Sequence, residues 1–122
     1  MENNKKYILG AVVIAVAVII IGFFAVKTTS TPVNYDDFAK CVADKGLTMY
    51  GAAWCSHCAA EKKAFGNSFK YIKYVECPDN IKLCTDLGII SFPTWIDGAG
   101  VKHEGEQGLS GLAKISGCEL PK

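Results

Sequence analysis

Two cysteines lie three positions apart in the run Trp54-Cys55-Ser56-His57-Cys58. Thiol–disulfide exchange needs one accessible thiolate and a second thiol near enough to resolve the mixed disulfide. This spacing meets both needs if it opens a helix. The helix N-terminus then favours the thiolate of the first cysteine, and the first turn carries the second within bonding range. Cys55 is therefore expected to attack and Cys58 to resolve. His57 places an imidazole, the side chain type whose charge changes around neutral pH, beside that thiolate. Stabilising the reduced thiolate makes the corresponding disulfide a better oxidant. Trp54 is expected to shield the pair with a flat apolar surface and to meet the substrate.

A C-x-x-C pair alone also fits a zinc site, so the elements around it decide the reading. Asn34 can cap a helix whose first turn carries Asp36 and Asp37, with Tyr35, Phe38 and Val42 on one face and Gly46 as its stop. Leu47 to Ala53 reads as a buried strand, followed by a helix from about Cys55 to Phe65 that Gly66 ends. Tyr71 to Val75 reads as a second strand, and Asn80 as the cap of a short helix over Ile81 to Leu87. Thr94 to Asp97 and Val101 to Glu104 flank Gly98-Ala99-Gly100 as a hairpin, and Ser110 opens a last helix that closes at Gly117. Strands joined through a helix should run parallel, while the hairpin pair is antiparallel. The expected fold is α/β: a central mixed sheet flanked by helices. Pro93, entering a strand beside the dithiol, suits a cis peptide after Phe92. The Phe92 backbone could then pair with an extended substrate segment next to Cys55.

The strand–WCxxC–helix unit followed by the Pro93 turn resembles the thioredoxin superfamily. More narrowly, three runs are similar to the thioredoxin-like domain associated with bacterial vitamin K epoxide reductase homologues. They are Phe38-Ala39-Lys40-Cys41, Met49-Tyr50-Gly51-Ala52-Ala53-Trp54-Cys55-Ser56-His57-Cys58 and Phe69-Lys70-Tyr71-Ile72-Lys73-Tyr74-Val75-Glu76-Cys77. The resemblance implies a domain that exchanges disulfides with secreted proteins and is reoxidised by a quinone-linked membrane partner. It assigns Cys55, Cys58 and Pro93 the nucleophile, resolving and cis-proline roles. No cofactor and no metal are expected. This chain carries Ser56 where that family usually has proline, and Met49 where thioredoxins place a buried acid. Proton transfer at Cys58 therefore needs another route. Glu61, one turn on, is expected to lie on a solvated helix face.

Cys41, Cys77, Cys84 and Cys118 allow three pairings. A Cys77–Cys84 loop is short and geometrically easy, and Cys41 and Cys118 sit on the first and last helices of the domain. Both bridges would staple a small core. The competing readings are a second redox pair at Cys77 and Cys84, or zinc held by four cysteines, for which no second C-x-x-C exists. His103 is expected to be a polar surface residue.

Ile8 to Val26 runs without a charge, about 19 residues, enough to cross a hydrocarbon core of roughly 30 Å as a helix. Lys5 and Lys6 precede it, which places residues 1–7 in the cytoplasm and the remainder outside by the positive-inside rule. The apolar run is longer than the core of a cleaved signal peptide and lacks a small-x-small site at its end. The expected layout is a transmembrane helix over 8–26, a tether over 27–33 and the thioredoxin-like domain over 34–122. An even set of six cysteines suits an oxidising compartment. The chain has no arginine, and beyond residue 34 its acids slightly outnumber its lysines, which argues against a nucleic-acid partner.

The leading reading is a membrane-anchored oxidoreductase of the cell (inner) membrane that forms disulfides in exported, cysteine-containing proteins. Its rivals are a reductase or isomerase fed with electrons through the membrane, a metal-binding module, and a stapled domain with an inert Cys55–Cys58 pair.

Overall fold

The computed structural model describes residues 2–25 and 32–122. They divide into two units, Met1–Pro32 and Val33–Lys122. The first contains helix α1, Glu2–Ala25, of which Glu2–Phe23 is long and apolar enough to cross a membrane. The helix takes in Lys5 and Lys6 as well as the apolar run, so most of the expected N-terminal segment 1–7 is helical. Val26 and all of the expected tether except Pro32 and Val33 lie outside the described residues.

The second unit begins with α2, Asp36–Asp44. The N-cap is Tyr35 rather than the expected Asn34, whose Oδ1 accepts the Asp36 amide at 2.8 Å from one residue earlier; Asp36 in turn accepts the Ser68 hydroxyl at 2.7 Å. Carboxylates in this first turn suit the positive end of the helix dipole. Phe38, Ala39, Val42 and Ala43 form the buried face. Gly46 ends the helix at φ 85°, and a Cβ there would lie 2.9 Å from the Gly98 Cα, so both the turn and the close approach require glycine.

Strand β1, Thr48–Gly51, occupies the middle of the sheet. It pairs in parallel with β2, Lys73–Glu76, and antiparallel with β3, Thr94–Ile96, which pairs antiparallel with β4, Lys102–Glu104. The order is β2-β1-β3-β4. Helix α3, Ser56–Phe65, follows β1, and α4, Ile81–Asp86, and α5, Gly108–Ser116, complete the unit. Packing centres on Trp95 and Met49, paired in register and fully buried, with Phe65 beside Trp95 and stacked on Phe38. A mixed sheet flanked by helices in this order is a thioredoxin-like fold.

Four further details differ from the sequence-based expectations. Gly66 stops the α-helix, but the chain continues as a 3₁₀ segment over Gly66–Tyr71, which delays β2 until Lys73. Asn80 is the N-cap of α4, as expected, but its side chain makes no capping hydrogen bond and donates back to the Glu76 carbonyl at 2.9 Å. Helix α5 starts at Gly108 rather than Ser110, because an acceptor from another helix takes its first amides (below). His103 is no plain surface residue: its Nε2 lies 3.0 Å from Asp97 Oδ2, and Asp97 Oδ1 accepts the Ala99 and Val101 amides that shape the hairpin loop.

Candidate active site

Strand β1 ends at Gly51, and the chain turns through Ala52, Ala53 and Trp54 into α3. Cys55 is the N-cap of that helix in extended conformation, and its sulphur accepts the Cys58 amide at 3.1 Å. A serine or aspartate oxygen normally fills this position. Here the acceptor is sulphur, so the stabilisation that helix N-termini offer anions falls on Cys55. Cys55 and Cys58 are both free thiols, 8% and 1% exposed.

Burial, and then a hydrogen bond to Cys55, push the Cys58 thiol up to about 11, with the Ala52 backbone and the Lys62 charge offsetting part of the rise. Cys58 fits beneath the turn because Gly51 has no side chain: a Cβ there would lie 2.8 Å from the Cys58 sulphur and 3.2 Å from the Tyr74 ring.

The sequence-derived candidates separate into one cluster and two staples. Trp54 is 75% exposed and meets Phe92 edge-on, with ring centroids 5.8 Å apart. The Phe92–Pro93 peptide is cis and Pro93 is buried. The Pro93 carbonyl accepts the Gly105 amide at 2.8 Å, whereas among the described residues no hydrogen bond engages the Phe92 backbone. His57 is exposed, with Nδ1 3.1 Å from Glu106 Oε2. An open groove of about 450 Å³ beside the dithiol is lined by His57, Phe92 and Gly105 to Gly108. Cys77–Cys84 and Cys41–Cys118 are disulfides, joining the turn after β2 to α4 and α2 to the segment after α5. Among the described residues no group of three or more histidine, cysteine or acidic side chains could hold a metal ion.

Glu61 corrects the expectation of a solvated helix-face residue: it is fully buried. Its carboxylate accepts the Gln107 amide at 2.7 Å and the Gly108 amide at 2.9 Å, capping α5 from the side of α3. Burial raises its pKa, and the two amides work against that rise. The Trp95 indole N–H, buried without a hydrogen-bond partner, adds a pull in the same direction, between those of Gln107 and Gly108 in strength.

Tyr74 and Glu76 carry no motif in the sequence, yet they lie against the turn before Cys55. The Tyr74 hydroxyl donates to Glu76 Oε2, and Glu76 Oε1 accepts the Ala53 amide at 2.7 Å, which ties β2 to the turn before Cys55. The Tyr74 hydroxyl holds the Glu76 carboxyl below its ordinary range, helped by Ala53 and Lys62. Burial, and then Glu76, keep the Tyr74 phenol above its ordinary range. Lys62 Nζ sits 3.7 Å above the Tyr74 ring. The signal for this cluster was the alternation within β2, which puts Tyr74 and Glu76 on one face.

The fold and the paired thiols define the class, a thioredoxin-like domain with a C-x-x-C site at a helix N-terminus. The chain is similar to the thiol-disulfide oxidoreductase LTO1 of Arabidopsis thaliana, at 43% identity over 91 residues, covering 67% of this chain and 24% of that protein. It is therefore a homologue of a thiol-disulfide oxidoreductase and spans about a quarter of that relative's length. No protein-family model matches the chain.

Proposed function

We propose that this chain is a membrane-anchored, extracytoplasmic thiol:disulfide oxidoreductase that forms disulfides in exported proteins through Cys55 and Cys58. The observation that carries this reading is the free Cys55–Cys58 pair, with the Cys55 sulphur as the N-cap acceptor of α3. In the oxidising direction a substrate thiolate attacks Cys55, Cys58 leaves, and a second substrate thiol then displaces Cys55 and closes the substrate disulfide. His57 favours the reduced Cys55 thiolate and hence the oxidising direction. Trp54 and Phe92 give the substrate an apolar ledge, and the unengaged Phe92 backbone gives an extended segment something to pair with. Cys41, Cys77, Cys84 and Cys118 act as structural staples.

Helix α1 serves as a single-pass anchor with the N-terminus cytoplasmic, on the strength of its length, its apolar composition and the lysines before it. Reoxidation falls to a separate quinone-linked membrane protein of the vitamin K epoxide reductase type, a partner that the motif resemblance suggests.

The test is trapping in cells that export disulfide-bonded proteins. A Cys58→Ala variant should accumulate mixed disulfides through Cys55, and a Cys55→Ala variant should accumulate none. No adducts with either variant would leave the pair inert and remove the proposal. Recovery of adducts only with substrates that already carry disulfides would favour the reductase or isomerase direction instead.

A further inference from the structure

Cys58 must lose or gain a proton in each exchange cycle, yet β1 offers only Met49 and Gly51 on its inward face. The register places Tyr74 opposite Met49 and Glu76 opposite Gly51. The bare Cα of Gly51 is a shared wall: the position of an added Cβ lies 2.8 Å from the Cys58 sulphur and 3.4 Å from the Tyr74 hydroxyl. Those two groups are therefore within reach of each other through a single water. From Tyr74 the connection continues directly to Glu76, which is only half-buried and so opens to solvent.

We propose that Tyr74 and Glu76 form the proton path between the buried Cys58 sulphur and solvent, a proposal that rests on Cys55–Cys58 being the exchanging pair. When Cys58 resolves a mixed disulfide, its S–H bond breaks and its sulphur forms the bond to Cys55. The substrate sulphur leaves with the electron pair of the broken S–S bond. The Cys58 proton passes through the bridging water to the Tyr74 oxygen as the Tyr74 proton moves to the Glu76 carboxylate, which releases it to solvent. In the opposite direction, attack on Cys55 expels Cys58 as a thiolate, and the same path returns a proton to it. No other oxidant or reductant enters either step.

The surroundings suit these roles. A phenol held above its ordinary range stays an O–H and relays, while a carboxyl held below its range is an ionised acceptor at neutral pH. Lys62, whose charge favours both the Cys58 thiolate and the Glu76 carboxylate, completes the charged groups near Cys58 along with Cys55 on its own helix. The acid on α3, Glu61, is committed to the Gln107 and Gly108 amides, and His57 turns to Glu106.

The reduced full-length chain in detergent can be mixed with the dye-releasing disulfide of thionitrobenzoate in a stopped-flow experiment. The first release of dye reports Cys55 attack and the second reports resolution by Cys58. Tyr74→Phe and Glu76→Gln should each slow the second release by about tenfold or more near neutral pH, leave the first within about twofold, and flatten the pH profile of the second. Both variants keep the size of the side chain, and Glu76→Gln keeps an oxygen for the Ala53 amide. Glu76→Asp should recover part of the rate. A second release unchanged in both variants, or both phases slowed equally, overturns the proton path. A missing first release in the unaltered chain overturns the parent reading itself.

Discussion

The Cys58 amide donates to the Cys55 sulphur at 3.1 Å, so the two cysteines of the pair are unequal before any chemistry begins. One sulphur receives the helix N-terminus, and the other lies buried beneath Gly51.

That inequality should appear in alkylation. With the Cys58 thiol pushed up to about 11, only a minute fraction is thiolate at neutral pH. Iodoacetamide added to the reduced Cys55–Cys58 pair at neutral pH should give one adduct, on Cys55, as read by peptide mass spectrometry. Cys58 should react only as the pH approaches its own titration or the chain unfolds. Equal labelling of both at neutral pH would contradict the arrangement.

Glu61 should matter to stability more than to exchange. Glu61→Ala leaves the Gln107 and Gly108 amides without their acceptor and should cost about 3 kcal/mol in urea unfolding. Its pKa is raised in the fold, so the folded state holds the proton more tightly than the unfolded chain does. The proton-linked part of its contribution is fully present below the ordinary carboxylate range and is lost as pH rises through the elevated folded value. Glu61→Gln should flatten that part of the stability–pH curve, and an unchanged slope would mean the carboxyl titrates normally.

The two staples should differ in worth. Cys41–Cys118 spans 77 positions and Cys77–Cys84 spans 7. Chain-entropy reasoning gives about 4.5 kcal/mol for the long loop against about 2.5 for the short one. Paired Cys→Ala variants compared by urea unfolding should keep that order. A larger loss from the short loop would point to a role for Cys77–Cys84 beyond stapling.

His57→Ala removes the imidazole beside Cys55 without touching the core, since His57 is exposed. The equilibrium of Cys55–Cys58 with glutathione should shift toward the oxidised pair by about tenfold, making the site a weaker oxidant. An unchanged equilibrium would assign His57 to the groove with Glu106 rather than to the redox balance.

Much of this was legible in the sequence because it is local. Gly46 closes α2, Gly98 to Gly100 turn the hairpin, and the C-x-x-C spacing puts Cys55 at a cap by helix geometry alone, whereas α2 opens at Tyr35, one residue past Asn34. What stayed hidden depends on distant partners. Glu61 looks like a solvated helix residue until α5 arrives from 46 positions away to need its carboxylate. Tyr74 and Glu76 gain their place near Cys58 only through the register of β2 against β1, and that register was obscured by the 3₁₀ segment that shifts where β2 begins. The start of α5 is hidden for the same reason as the role of Glu61, since its capping group comes from another helix.

The most direct measurement is the redox equilibrium of the full-length chain in glutathione buffers, read by mass spectrometry of the cysteine peptides. The account predicts one reversible two-electron couple confined to Cys55 and Cys58, with both staples intact, at a potential less negative than the roughly −270 mV of thioredoxin. No reversible couple at that pair, or a potential at or below that value, would contradict it.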